Sequence, residues 1–447
     1  AQRSPDRRST NAIARAPRRD AVRGFAHNAA LEMLVLTAPV LSLLLSFAGP
    51  CTAASARCVL TRVAPESVGM SAEWLANVDH VARRGLDARG YPGMAVVIGR
   101  HGALAWERGY GSLDWGTTSP AVDPDRTMYD VASLTKVIAT TTAIMVLYDE
   151  HRLTLDDPVA KYLSAYRHGT KRQVTIRELL EHRAGLPAGR NVFRRHRSPA
   201  AARRLVLATP LEYPPGEREV YSDVGADVLG FVVEAVSGQR LDVFLRQHVF
   251  GPLGMRSTMF RPPRTQRGRI APTEVSSSRG YPLRGEVHDE TAFALGGVAG
   301  HAGLFATAAD LAVFAQMMLN GGVYHGVRIV HDSTVALFTR RSVGWRALGW
   351  ETCAGGASCG RYMSDRAYGH TGYTGTSIWI DPERDLFVIV LANRVHELPN
   401  GREPDWAVLH DVRADIADVA ESAVTDDSVS HPQPDELRAD LAIGWPR

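Results

Sequence analysis

The sequence predicts an α+β fold, an α/β sandwich whose sheet is assembled from both ends of the chain, with a helical lobe inserted between them. Three observations predict it. Apolar, β-rich runs occur early, at 94–99 and 103–109, and return only late, at 347–352, 376–381 and 386–392. Polar and helical segments with several Pro/Gly breaks fill 154–319 between the two groups. A closing helix over about 406–424 follows the last run, and no internal repeat interrupts this order.

Residues 1–56 read as an export segment. Arg15, Arg18, Arg19 and Arg23 precede a nearly uncharged apolar run over 33–48, and an Ala54-Ser55-Ala56 site follows. These are the basic, apolar and cleavage regions of a secretory signal. The run is shorter than the ~20 residues that comfortably span a bilayer. An uncleaved N-terminal anchor is the alternative, and this segment is the only expected route to a membrane. Pro50 directly before Cys51 argues against a lipoprotein site. The expected organisation is therefore an export segment (1–56), a main domain (57–424) and an acidic tail (425–447), in a protein that is periplasmic or secreted.

Within the main domain, Leu75, Val78, Val81 and Ala82 recur at helical spacing and predict a helix over 71–84. Arg100-His101-Gly102 between two apolar runs predicts a hairpin. A long apolar helix is expected over 133–150, and a second over 224–236. Pro382-Glu383-Arg384-Asp385 predicts the turn between the last two strands.

Charge narrows the partners. The whole chain has 51 Lys+Arg and 48 Asp+Glu, but residues 1–56 hold seven arginines against Asp6, Asp20 and Glu32. The remainder carries 44 basic and 45 acidic residues, close to neutrality. That argues against a nucleic-acid or anionic-membrane partner. Arg190, Arg194, Arg195, Arg197, Arg203 and Arg204 form a local basic cluster, read as a solvated face or as a device that steers a carboxylate-bearing peptide. Cys353 and Cys359 flank a short Gly/Ala/Ser turn. They can bridge in an oxidising compartment or stay as two thiols, and a metal pair lacks further ligands.

Three short motifs read together as one catalytic site: Ser133-Leu134-Thr135-Lys136, Tyr221-Ser222-Asp223 and His370-Thr371-Gly372. A serine hydroxyl is a weak nucleophile that needs an adjacent base. Residues i and i+3 share a helix face, so Lys136 lies beside Ser133 and can serve or tune that base. Tyr221 can act as base or proton shuttle if a nearby cation, here Lys136, stabilises its phenolate. His370 is expected to change charge between about pH 5 and 8. Asp223 positions Lys136 or a substrate amide, or else caps the following helix.

On these motifs the chain resembles the serine β-lactamase and penicillin-binding-protein superfamily, particularly its class C-like branch. The resemblance spans roughly 63–394 and includes Val131 to Lys136, Pro214-Pro215-Gly216, the Gly-rich 295–305 and 369–374. It implies an antiparallel sheet flanked by helices, beside an all-α lobe, with the site in the cleft. It implies Ser133 as nucleophile, Lys136, Tyr221 and His370 as catalytic partners, and substrate contacts from Asp223, Thr371, Gly372 and Tyr373. The N–H groups of Ser133 and Tyr373 would hold the oxyanion. Glycines at 369, 372 and 375 would let substrate approach a strand edge. One residue departs: Asp223 stands where the branch has Asn, and an ionised acid cannot donate a hydrogen bond to a substrate carbonyl.

The expected activity is that of an exported serine hydrolase acting through an acyl-serine on esters, peptidoglycan-derived D-amino peptides or β-lactams. A penicillin- or peptidoglycan-binding module with little turnover is the alternative. No metal or organic cofactor is required. His288-Asp289-Glu290 lacks metal-ligand spacing and reads as a loop near the cleft, and His301 reads as structural.

Overall fold

The sheet joins the two ends of the chain at its centre. In the computed structural model, which describes residues 60–195, 198–355, 358–427, 431–432 and 437–441, seven strands form it. They are β1 (Thr61–Arg62), β2 (Gly93–Arg100), β3 (Ala103–Gly111), β4 (Glu351–Thr352), β5 (Tyr368–Gly372), β6 (Thr376–Asp381) and β7 (Leu386–Ala392). Their order is β1-β3-β2-β7-β6-β5-β4. All pairings are antiparallel except β1 with β3. Leu386 to Ala392 pair with Arg100 to Met94. The expected export segment with its Cys51, and Cys58 just after it, lie outside the described residues, and no described helix is long and apolar enough to cross a membrane.

The uninterrupted apolar runs of β2, β6 and β7 follow from burial on both faces. Side chains alternate across a strand. Ala95, Val97, Ile378, Ile380, Phe387, Ile389 and Leu391 enter one core. Met94, Val96, Ile98, Trp379, Val388 and Val390 enter the other. The second core is closed by α1 (Asn77–Asp87) and α5 (Trp406–Ser422). The first is closed by α2 (Thr142–Asp149), α3 (Asp223–Ser237) and α4 (Ala308–Leu319).

The expected 71–84 helix is two pieces, Ala72–Leu75 and α1, with Ser71 capping the first through the Trp74 N–H. The expected 133–150 helix begins at Leu134 and runs through a wide-turned segment, Lys136–Thr141, into α2. The late run expected at 347–352 is a strand only at Glu351–Thr352. Gly349 has φ +84, where its missing Cβ would meet the Thr141 side chain, so the chain turns there and drops Trp350 into the core. The helical lobe also carries a small sheet of Tyr129–Asp130, Leu304–Ala306 and Met259–Phe260. Cys353 and Cys359 are joined as a disulfide. Beyond α5, Arg438 pairs with the buried Asp415 and Asp418, and Asp426 pairs with Arg100.

Candidate active site

Ser133 is presented by a tight turn. Ala132 before it has φ +46, a conformation rarely taken by residues other than glycine. The buried Asp130 carboxylate holds that turn by accepting the Ala132 N–H at 2.9 Å and the His288 N–H at 2.7 Å. Strain at such a position persists only where surroundings enforce it. Three residues on, the buried Lys136 Nζ donates to Ser133 Oγ at 3.0 Å and lies 2.7 Å from Asp223 Oδ1. It also reaches the His301 carbonyl at 3.4 Å.

Asp223 is not the helix cap. Ser222 takes that role, accepting the Gly225 N–H at 3.0 Å, which leaves Asp223 in the first turn of α3 and free to face Lys136. Burial disfavours charge on Lys136, but Tyr221 and Asp223 outweigh it and raise its pKa. Burial likewise opposes charge on Asp223, yet Lys136 and then His301 hold its carboxyl below the usual range. Lys136 is therefore held as a cation here, paired with Asp223.

Tyr221 sits above this pair. The Lys136 Nζ is 4.6 Å from its ring centroid, and its ring is 4.7 Å from His182 and 5.9 Å from His370. His182 fixes the motif by accepting the Ser222 N–H at Nδ1, 3.0 Å away. Desolvation, then Arg346 and Lys136, keep His182 neutral by pushing its pKa well below the ordinary value.

His370, on β5, corrects an expectation. It is buried, and desolvation pushes its pKa down to about 4, so it does not change charge between pH 5 and 8. Its Nδ1 lies 2.7 Å from the Thr371 carbonyl, which can only accept, so Nδ1 carries the proton. The remaining nitrogen, Nε2, is an acceptor with no hydrogen-bond partner among the described residues, 3.8 Å from Glu351.

Thr371 and Tyr373 line the same cleft, of ≈ 460 Å³, as Ser133, Tyr221, Asp223 and His370. Thr374 Oγ1 donates to the Asp130 carbonyl at 2.7 Å and Thr376 Oγ1 to that of Val131 at 3.0 Å. These bonds fasten the β5–β6 turn beside the Ser133 turn. Apart from bonds within regular elements, neither the Ser133 N–H nor the Tyr373 N–H is donated to another of the described residues. Packing by itself requires glycine at positions 369, 372 and 375. A Cβ on Gly372 would lie 2.5 Å from the Val131 carbonyl, one on Gly369 would strike the Trp379 ring, and one on Gly375 the Ala392 carbonyl.

Several site residues had no motif to reveal them. Arg346 lies buried against the cleft, bonded to Glu219 at 2.9 Å and Glu351 at 3.1 Å. Trp406, at the start of α5, lines the mouth with Tyr373. His301, flagged only by its Gly-rich surroundings, has Nδ1 2.7 Å from Asp227 and Nε2 2.8 Å from Asp289. Two carboxylates on two ring nitrogens require two donors, so this buried ring is an imidazolium. Burial opposes that charge, but Asp227, Asp289 and Asp223 raise its pKa well above the ordinary value. His288 and Asp289 do lie at the cleft, but His288 faces Glu274 rather than a shared metal position. Among the described residues no group of three or more His, Cys, Asp or Glu is placed to hold a metal ion. Of the arginine cluster, Arg203 pairs with Glu234 and covers Phe231, while Arg197 and the Arg195 side chain lie outside the described residues.

Comparison with known proteins agrees with this geometry. A family model described as Beta-lactamase matches residues 78–413. A Salmonella agona protein named "Putative D-alanyl-D-alanine carboxypeptidase" is 36% identical over 379 residues, covering 76% of this chain and 87% of that protein. Among solved structures, a penicillin-binding protein homologue from Caulobacter crescentus superposes with a TM-score of 0.62 at 18% identity, over 79% of this chain and 99% of that one. A class C beta lactamase from Rhodobacter sphaeroides gives 0.60 at 20% identity, over 76% and 97%. At these identities the two structures speak for the fold alone.

Proposed function

The chain belongs to the beta-lactamase family of serine hydrolases, and we propose that it is an exported D-alanyl-D-alanine-type carboxypeptidase working through an acyl-serine at Ser133. The observation that carries the mechanism is the Lys136 ammonium held between Ser133 Oγ, at 3.0 Å, and Asp223, at 2.7 Å. The peptide substrate is supported by the name of the 36%-identical relative. Export is supported by the basic and apolar composition of residues 1–56.

In this reading Ser133 Oγ attacks the carbonyl carbon of the penultimate D-alanine as its proton passes to the Tyr221 oxygen. The Lys136 Nζ, 4.6 Å from the Tyr221 ring centroid, sets a positive charge beside the group that accepts it. The oxyanion is held by the Ser133 and Tyr373 N–H groups, which have no acceptor among the described residues outside regular elements. Collapse breaks the C–N bond, and Tyr221 returns the proton to the departing amine. Water, deprotonated by the same oxygen, then attacks the acyl-serine; the C–Oγ bond breaks and Tyr221 returns that proton to Ser133 Oγ. Asp223 acts through Lys136 and holds its charge in place.

Hydrolysis rates on a D-Ala-D-Ala peptide, a p-nitrophenyl ester and nitrocefin test the substrate. The peptide should give the highest kcat/KM. Preference for the ester or for nitrocefin would reassign the substrate class, and stable labelling by penicillin without turnover of any of the three would mark a binding module instead.

A further inference from the structure

Arg413 is a buried cation that the mechanism above does not use. It projects from α5, is 2% exposed, and its Nη2 donates to the Thr376 carbonyl at 2.8 Å and the Gly372 carbonyl at 3.1 Å. Among the described residues no carboxylate forms an ion pair with it, and its Nε has no hydrogen-bond partner. Burial, then the neighbouring Arg394, pushes its pKa down only to about 9, so it is charged at neutral pH. A buried, unpaired guanidinium is expensive, and an apolar side chain would pack a helix on a sheet at less cost.

The carbonyl it engages belongs to the peptide unit that ends in the Tyr373 N–H. A peptide group is planar and trans, so its C=O and N–H point in opposite directions. Gly372 O also accepts the Gly375 N–H at 3.1 Å, so both of its lone pairs are occupied. A charged donor on the oxygen withdraws electron density and strengthens the N–H at the other end. Arg394 acts one unit later, donating to the Tyr373 carbonyl at 3.2 Å.

We propose that Arg413 is a positioning residue of the oxyanion hole, whose guanidinium fixes and polarises the Gly372–Tyr373 peptide so that its N–H donates more strongly to the charge developed on the substrate oxygen. The inference rests on the proposed role of the Tyr373 N–H.

The test uses the full chain with Arg413→Met and Arg413→Lys, a boronic acid that forms a tetrahedral adduct on Ser133, and the infrared carbonyl stretch of the acyl-serine. Deleting an oxyanion donor outright costs about 10²–10³-fold in kcat; here the donor stays and only its polarisation is lost, so a fall of about 3- to 30-fold is expected for Arg413→Met. Boronate affinity should fall by the same factor, KM should change little, and the acyl carbonyl stretch should move to higher frequency, with Arg413→Lys in between. Folded variants with wild-type boronate affinity and carbonyl stretch would overturn the inference, even if they melt earlier. If Arg413→Met does not fold, Arg413→Lys decides; if neither folds, Arg413 serves folding and the inference falls. A wild-type protein that forms neither adduct would sink the acyl-serine reading itself, a distinguishable result.

Discussion

The Lys136 ammonium lies 2.7 Å from the Asp223 carboxylate, so the one residue that departs from the family's Tyr-x-Asn pattern is an ion-pair partner of the lysine beside the nucleophile. This arrangement has a cost and a use. The carboxylate cannot donate to a substrate carbonyl as an amide would. In return it helps hold Lys136 charged against the burial that disfavours its charge.

Asp223→Asn removes that support, so the Lys136 pKa should fall. The alkaline limb of the kcat/KM–pH profile should then move to lower pH, with a loss of about tenfold at neutral pH, modest against the 10²–10⁴-fold of a lost acid–base group. A profile identical to wild type would show that the pair does not set the Lys136 charge.

Lys136→Ala should slow acylation by roughly 10²–10⁴-fold while the protein stays folded. Breaking a fully buried ion pair costs about 3–5 kcal/mol, but the Asp223 side chain is 35% exposed and water can solvate it, so the stability loss should be smaller. Pre-steady-state acylation rates and thermal melting check the two halves. A folded, fully active variant would refute the role of Lys136.

Two of the buried histidines, His370 and His301, predict opposite pH dependences of stability. In an unfolded chain both titrate near ~6.5. His370 has a folded pKa of about 4, so its contribution is present above ~6.5 and is lost as pH falls toward 4. His301 is raised, so its contribution is complete below ~6.5 and lost as pH rises through its folded value. His370→Gln should reduce the slope on the acid side of a urea-midpoint profile, which His182 shares, and His301→Gln the slope on the alkaline side. His370→Gln should also leave the limbs of the activity profile between pH 5 and 8 where they are. Unchanged stability slopes would contradict both assignments.

Export predicts a mature N-terminus near Arg57, read by terminal sequencing of the secreted or periplasmic protein, and a chain starting there should be soluble and active. An intact N-terminus in a membrane fraction would support an anchor instead.

How much of this was legible in the sequence depends on the physics behind each residue. Strands β2, β6 and β7 were readable because burial on both faces demands unbroken apolar runs. Strand β5 was legible only as a glycine-marked strand edge, since Tyr-Gly-His-Thr-Gly has little β-propensity and is held by its register with β6. Ser133 and Lys136 met because helical spacing is local. The Asp223 contact with Lys136 crosses 87 positions, and only the Ser222 cap shows which way Asp223 turns. The His370 charge could not be read because it depends on burial, which no local pattern encodes. Arg346, Asp227 and Arg413 reach the site through tertiary packing and carry no motif.

Covalent labelling with a fluorescent penicillin or fluorophosphonate, followed by peptide mapping of the wild-type protein and Ser133→Ala, tests the acyl-serine most directly. The wild type should carry one adduct, on the peptide containing Ser133, and the variant none, with turnover reduced by several orders of magnitude. Wild-type labelling of a folded Ser133→Ala protein, or an adduct mapped to another residue, would contradict the account.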